Sequence, residues 1–168
     1  MRRAATILAA MSLAGTVGCA NMAQKRFESR WMNQPAPDFE LTALGGGNVK
    51  LSEQKGRPVV LAFWACGCPP CRAEAPHLSK LSDEYKLRNL VVLGVNAWDE
   101  PKEEVSRFAK ENQLKHKILL DGSGVKAQYG VESIPTVFWI DREGFIRDIE
   151  LGFGGAEDLK QRTERLLK

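Results

Sequence analysis

A continuous apolar run within RPVVLAFWA at 57–65 leads directly into CGCPPC at 66–71. Apolar residues without polar alternation are what a strand buried on both faces requires. The stretch after it, 69–87, has helical spacing, with Ala73, Leu78, Leu81 and Tyr85 near one face. A buried strand handing over to a helix through a cysteine-bearing turn points to an α/β architecture and sets a C-x-x-C pair at a helix N-terminus.

The rest of the chain agrees with that class. FEL (39–41) and VKL (49–51) predict short strands around the turn-forming Gly45-Gly46-Gly47. LVVLGVNAW (90–98) is a second buried strand, and KILLD (117–121) a third. Between them, Pro101 opens a helix to about Asn112, with Val105, Phe108 and Ala109 inward. GVKAQYGV (124–131) is a short helix ending at Gly130. TVFWID (136–141) and FIRDIELGF (145–153) form a strand pair joined by the Asp141–Gly144 turn. An amphipathic helix closes the chain at 156–167, with Leu159, Thr163 and Leu166 inward. The expected fold is a central mixed β-sheet flanked by helices, with an N-terminal β-hairpin and an inserted helix, from residue 37 to residue 168.

The N-terminus reads differently. MRRAATILAAMSLAGTVG (1–18) has two arginines, a short apolar core and small residues, the layout of a secretory signal. SLAGTVGC resembles a bacterial lipoprotein signal, which makes Cys19 the expected lipidation site. Thr16 stands where that motif usually has leucine, and cleavage after Ala20 is the competing reading. The Ala20 that follows the cysteine is compatible with an outer-membrane destination in a Gram-negative cell. Residues 19–36 are polar with prolines at the end and read as a lipid-anchored tether. The expected location is therefore outside the cytoplasm, on the periplasmic side of a bacterial membrane. Without Arg2 and Arg3 the chain carries 22 basic residues against 21 acidic ones, a balance that gives no nucleic-acid surface.

With Cys19 lipidated or removed, the remaining thiols all lie in 66–71, where a closed loop is too short to staple the fold. Cys68 falls at the N-cap and Pro69 at the first helical position. Free N–H groups and the positive helix end stabilise a thiolate there, so the Cys68 pKa should fall below the free value of about 8.5. Pro69 and Pro70 offer no N–H, so the sulfur accepts mainly from Cys71 and the depression should be moderate. The reading requires the Cys68 sulfur to be exposed, with Cys71 less so.

W-A-x-x-C-P-P-C-R-x-E-x-P from Trp64 to Pro76, followed by I-P-T at 134–136, resembles the thioredoxin-like superfamily, and within it the membrane-anchored TlpA/ResA branch. The likeness runs from Pro35-Ala36-Pro37-Asp38-Phe39 to the final helix. It implies that Cys68 attacks, that Cys71 resolves, and that the two form the redox-active disulfide. It implies a cis Ile134–Pro135 bond facing that disulfide, with Ile134, Pro135 and Trp64 at the substrate-binding surface. It implies a proton-transfer role for Glu74 at the resolving thiol; the alternative is a solvated acid favouring the helix N-terminus. Pro76 should kink the helix, and His77 is packed or at the surface. The implied activity is protein thiol-disulfide exchange without an organic cofactor or metal. Protein disulfides, an apocytochrome c among them, would be substrates, and a DsbD/CcdA-type membrane donor would return electrons.

One departure stands out. Relatives usually carry an aromatic residue directly before the first cysteine, where this chain has Gly67, preceded by a third thiol, Cys66. Cys66 could pair with Cys68 or Cys71, ligate Cu(I) or Zn with them, or be a small buried side chain at a strand end. The runner-up function is therefore a copper-binding or copper-delivery protein using C-x-C-x-x-C. A thiol peroxidase ranks last.

Overall fold

The computed structural model describes residues 15–168. Residues 1–14, most of the expected export signal, lie outside the described residues, as does the side chain of Cys19. The chain divides into two compact units, Met1–Arg30 and Trp31–Lys168. The first holds most of helix α1 (Gly15–Trp31). Among the described residues, no helix is long and apolar enough to cross a membrane.

The second unit is built on a five-stranded sheet of order β5-β4-β3-β6-β7. Strand β3 (Val59–Trp64) is central and buried throughout. It pairs in parallel with β4 (Val91–Asn96), which pairs in parallel with β5 (Lys117–Leu119). On its other side β6 (Thr136–Ile140) and β7 (Ile146–Leu151) follow antiparallel. The sheet is thus mixed, as expected. The N-terminal hairpin, β1 (Glu40–Thr42) with β2 (Asn48–Lys50), is a separate two-stranded sheet. A single bridge from Ala43 to Leu119 ties it to β5.

Alternation along the strands divides the core. Val60 and Ala62 on β3, with Val92, Val137 and Trp139, face Leu78 and Leu81 of helix α2 (Pro69–Glu84) and Leu159 of helix α5 (Ala156–Leu166). Thr163 receives the Trp139 indole N–H at 3.0 Å, which explains a hydroxyl at a fully buried position. Phe63 meets the Tyr129 ring at 5.4 Å, and Tyr129 stacks on Trp31 at 5.8 Å. Tyr129 follows the short helix α4 (Ser123–Gln128). The inserted helix α3 (Lys102–Glu111) buries Val105 and Phe108 against Trp64 and the three cysteines.

Three expectations are corrected. Helix α2 buries Cys71, Glu74, Ala75, Leu78, Ser79 and Leu81, whereas Ala73 is exposed. Leu78, Leu81 and Tyr85 are buried as predicted, but the first turns of the inner face are Cys71, Glu74 and Ala75 in place of Ala73, the row that runs at i+3 and i+4 from the disulfide. The helix also ends at Glu84, and a 3-10 turn continues over Lys86–Arg88. Finally, the stretch read as a tether over 19–36 is largely helical, and its last residues extend the sheet. Asn33 N–H donates to Ile146 O (2.8 Å), Ile146 N–H to Gln34 O (2.9 Å) and Ala36 N–H to Gly144 O (2.9 Å). The compact unit therefore begins at Trp31, which is buried, and not at residue 37.

Candidate active site

Strand β3 ends at Trp64, and α2 begins five residues later. Cys68 is the N-cap, with extended backbone at φ −97° and ψ 108°, and Pro69 and Pro70 start the helix. Proline suits these positions because the first helical N–H groups lack intrahelical acceptors anyway. Cys68 and Cys71 are joined in a disulfide with a Cα–Cα separation of 5.3 Å. Cys68 Sγ accepts a hydrogen bond from Cys71 N–H at 3.3 Å, the one donor that the two prolines leave within reach. The same sulfur lies 3.7 Å from the Ile134 carbonyl oxygen, and the Ile134–Pro135 bond is cis.

Cys68 keeps 5 % of its surface and Cys71 1 %. Their order agrees with expectation, but the expected exposure of Cys68 is corrected: it is buried, because Trp64, Phe108 and Ile134 pack into the same cluster. Trp64, expected at the substrate-binding surface, is buried beneath the cysteines. Its ring lies 5.1 Å from that of Phe108. It supports the site from below and offers no surface to a substrate. Ile134 is half-buried and Pro135 buried.

Glu74 shows none of its surface to water, and neither carboxyl oxygen has a hydrogen-bond partner. Burial first, and then the negative charge of Glu150, push its pKa up to about 8. The solvated-acid reading is thereby excluded. Glu150, on β7, is itself buried. One of its oxygens accepts from Gly154 N–H at 2.6 Å and the other has no partner. His77 is half-buried and its ring stacks on Phe153 at 5.6 Å, a packing role. Pro76 lies within α2.

Cys66 is a free, buried thiol. Burial, a hydrogen bond to Glu100 and the charge of Glu100 push its pKa up to about 12. Glu100 was not singled out in the sequence, yet it organises the turn before Cys68. One carboxylate oxygen accepts from Cys66 N–H at 2.7 Å and from Asn96 Nδ2 at 2.6 Å. The other accepts from Gly67 N–H at 3.2 Å. Burial opposes ionisation of Glu100, but the Cys66, Asn96 and Gly67 hydrogen bonds outweigh it and hold the carboxyl below its usual range. Arg72 adds a bond to the Cys66 carbonyl at 3.3 Å and lies over the Phe108 ring. The only advance signal for Glu100 was its place in a loop leaving a strand end. Among the described residues, no three His, Cys, Asp or Glu side chains are grouped to hold a metal.

Comparison with known proteins fits this geometry. The model of the AhpC/TSA family matches residues 32–149. The thioredoxin-like protein YneN of Bacillus subtilis is 40% identical over 133 residues, covering 78% of each chain. The thiol-disulfide oxidoreductase ResA of Halalkalibacterium halodurans is 35% identical over 165 residues, covering 97% of this chain and 92% of that one. Among solved structures, a Chlorobium tepidum protein named as a thiol:disulfide interchange protein, DsbE, superposes with a TM-score of 0.76 at 33% identity. That match covers 82% of this chain and 98% of the other.

Proposed function

Because the chain belongs to the AhpC/TSA family of thioredoxin-like proteins and is a thiol-disulfide oxidoreductase, we propose that it reduces protein disulfides outside the cytoplasm with Cys68 as nucleophile. The observation that carries this reading is the Cys68–Cys71 disulfide at the start of α2, beside the Ile134 carbonyl. Cys68 retains the larger accessible share of the pair, which favours it as the sulfur a substrate reaches.

In the reducing direction the Cys68 thiolate attacks one sulfur of a substrate disulfide. That S–S bond breaks, the second substrate sulfur leaves as a thiolate, and a mixed disulfide forms. Cys71 then loses its proton and attacks Cys68 Sγ, releasing the first substrate sulfur. Two electrons have moved from the enzyme dithiol to the substrate, and the enzyme is left in the state described above. Glu74 lies one turn beyond Cys71, and its elevated pKa suits it to take the Cys71 proton as pH rises toward 8. A membrane donor of DsbD/CcdA type would restore the dithiol, and an apocytochrome c is a fitting substrate. No cofactor enters this sequence of steps. Cys19 would hold the protein at the membrane by its acyl chains, on the periplasmic side. The Cu(I) reading needs three converging thiolates. It draws no support from the geometry, since among the described residues no three His, Cys, Asp or Glu side chains are grouped to hold a metal.

The test is insulin reduction with dithiothreitol. Cys68→Ser should abolish it, and Cys71→Ser should accumulate a mixed disulfide visible by mass. Undiminished turnover in Cys68→Ser would end this reading. Acylation is checked separately: labelled palmitate should enter the protein in cells and be lost in Cys19→Ser.

A further inference from the structure

Three large apolar side chains are exposed among the described residues: Met22, Leu87 and Trp98. Trp98 lies against Gly67, the residue before Cys68. A Cβ placed on Gly67 would lie 3.3 Å from Cζ3 of its ring, so the indole covers the bare backbone immediately before Cys68. Adjacent Cα atoms are about 3.8 Å apart, which sets the ring edge within roughly 9 Å of the Cys68 Cα. Yet 53 % of Trp98 remains in water.

The backbone that carries Trp98 is fixed on both sides. Ala97 N–H donates to Trp64 O at 2.8 Å, and Ala97 is buried. Asp99 sits at φ 51° and its carboxylate accepts from Ser123 N–H at 2.9 Å. Glu100 N–H donates to Asn96 Oδ1 at 3.0 Å, while its carboxylate holds Cys66 and Gly67. A large aromatic ring on a pinned loop makes contact area at little cost in ordering, the property of a good anchor for a partner. More than half of the residue is in water, one ring carbon lies over glycine, and there is no side chain at 67 to fill the space beside Cys68.

We infer that Trp98 is a specificity-determining residue, receiving an apolar side chain that flanks the cysteine of the substrate disulfide. The inference rests on the proposed attack by Cys68. Gly67 and Trp98 act together: glycine leaves the room and the ring supplies the surface.

The experiment uses two short peptide disulfides that differ only in having Phe or Gly beside the cysteine, with hydroxyethyl disulfide as a substrate too small to reach the ring. Wild-type enzyme should react with the Phe peptide about tenfold faster than with the Gly peptide, a preference worth about 1.4 kcal/mol. Trp98→Ala should treat the two peptides alike and keep the wild-type rate on hydroxyethyl disulfide. Trp98→Phe should restore most of the preference. Equal rates on both peptides in the wild type, or an undiminished preference in Trp98→Ala, would overturn the inference while leaving the redox function standing. An equal loss on all three substrates in Trp98→Ala would assign the ring a purely structural role and overturn it as well. Wild-type protein inert toward every disulfide would strike at the proposed function, and this inference would fall with it.

Discussion

A carboxylic acid with no surface in water and no hydrogen bond on either oxygen is costly to ionise, and Glu74 is such a group. At pH 7 its pKa of about 8 leaves it mostly protonated, so its capacity to accept a proton grows as pH rises through 8. The resolving step of wild-type enzyme should accelerate across that range. Glu74→Gln should slow the step by about tenfold and remove the inflection near pH 8. Stopped-flow release of thiol from the Cys68 mixed disulfide measures both, and an unchanged pH profile would rule the carboxyl out. The i+3 placement of Glu74 after Cys71 was legible in the sequence; its burial was not, because an acid on a helix normally faces water. Glu150 lies 76 positions away in the chain and nothing local marks it. Trp64 was legible as an aromatic residue near the cysteines, but as the last residue of a fully buried strand it turns inward.

At the scale of elements, the site is a strand end, a helix start and one loop. The first two were legible, since an apolar run reports a buried strand and Pro-Pro after an N-cap reports a helix start. The loop was not, because Glu100 reaches back 34 positions to the backbone of Cys66 through bonds that no spacing rule encodes. Its carboxylate occupies three donors that would otherwise lack it as acceptor: the N–H groups of Cys66 and Gly67 and the Asn96 amide. Charge-assisted bonds of this kind contribute more than neutral ones, so Glu100→Ala should lower stability by about 2 kcal/mol in urea unfolding. The same change removes the second and third causes of the raised Cys66 pKa and leaves burial and the charge of Glu104. Cys66 in the oxidised enzyme should then be alkylated about tenfold faster at pH 9, as read from its peptide by mass. Equal alkylation in both proteins would mean that Glu100 does not keep this thiol inert. The edge formed by 33–36 was invisible for a related reason. Backbone pairing with β7 leaves no pattern in a segment of Asn, Gln, Pro and Ala.

Across the whole molecule, two buried titratable groups oppose one another. His116 is buried and its pKa is lowered to about 4. Ser79 Oγ accepts from Lys115 N–H at 3.1 Å and so turns its own proton toward His116 Nδ1 at 2.8 Å, which suits the neutral ring. Below its ordinary pKa of about 6.5 the unfolded chain binds a proton that the native ring refuses, so this group removes stability as pH falls from 6.5 toward 4. Glu74 acts in the other direction. Its native pKa is raised, so the folded protein holds a proton that the unfolded chain releases above about 4.5, and stability is lost as pH rises from there toward 8. Between pH 5 and 7 each contribution changes by about 2 kcal/mol, with opposite signs. The net contribution of these two groups to wild-type stability should therefore vary little over that window. Glu74→Gln should expose the histidine, becoming about 2 kcal/mol more stable at pH 7 than at pH 5. His116→Gln should expose the acid, with the opposite slope. Urea midpoints of the three proteins at the two pH values decide it. Parallel pH dependence in all three would mean that neither group titrates as its surroundings require. The cancellation has a functional side: a carboxyl can be kept dry enough to titrate near pH 8 without making the fold itself sensitive to mild acid, because the buried imidazole just before β5, hydrogen-bonded to Ser79 of α2, offsets its linkage.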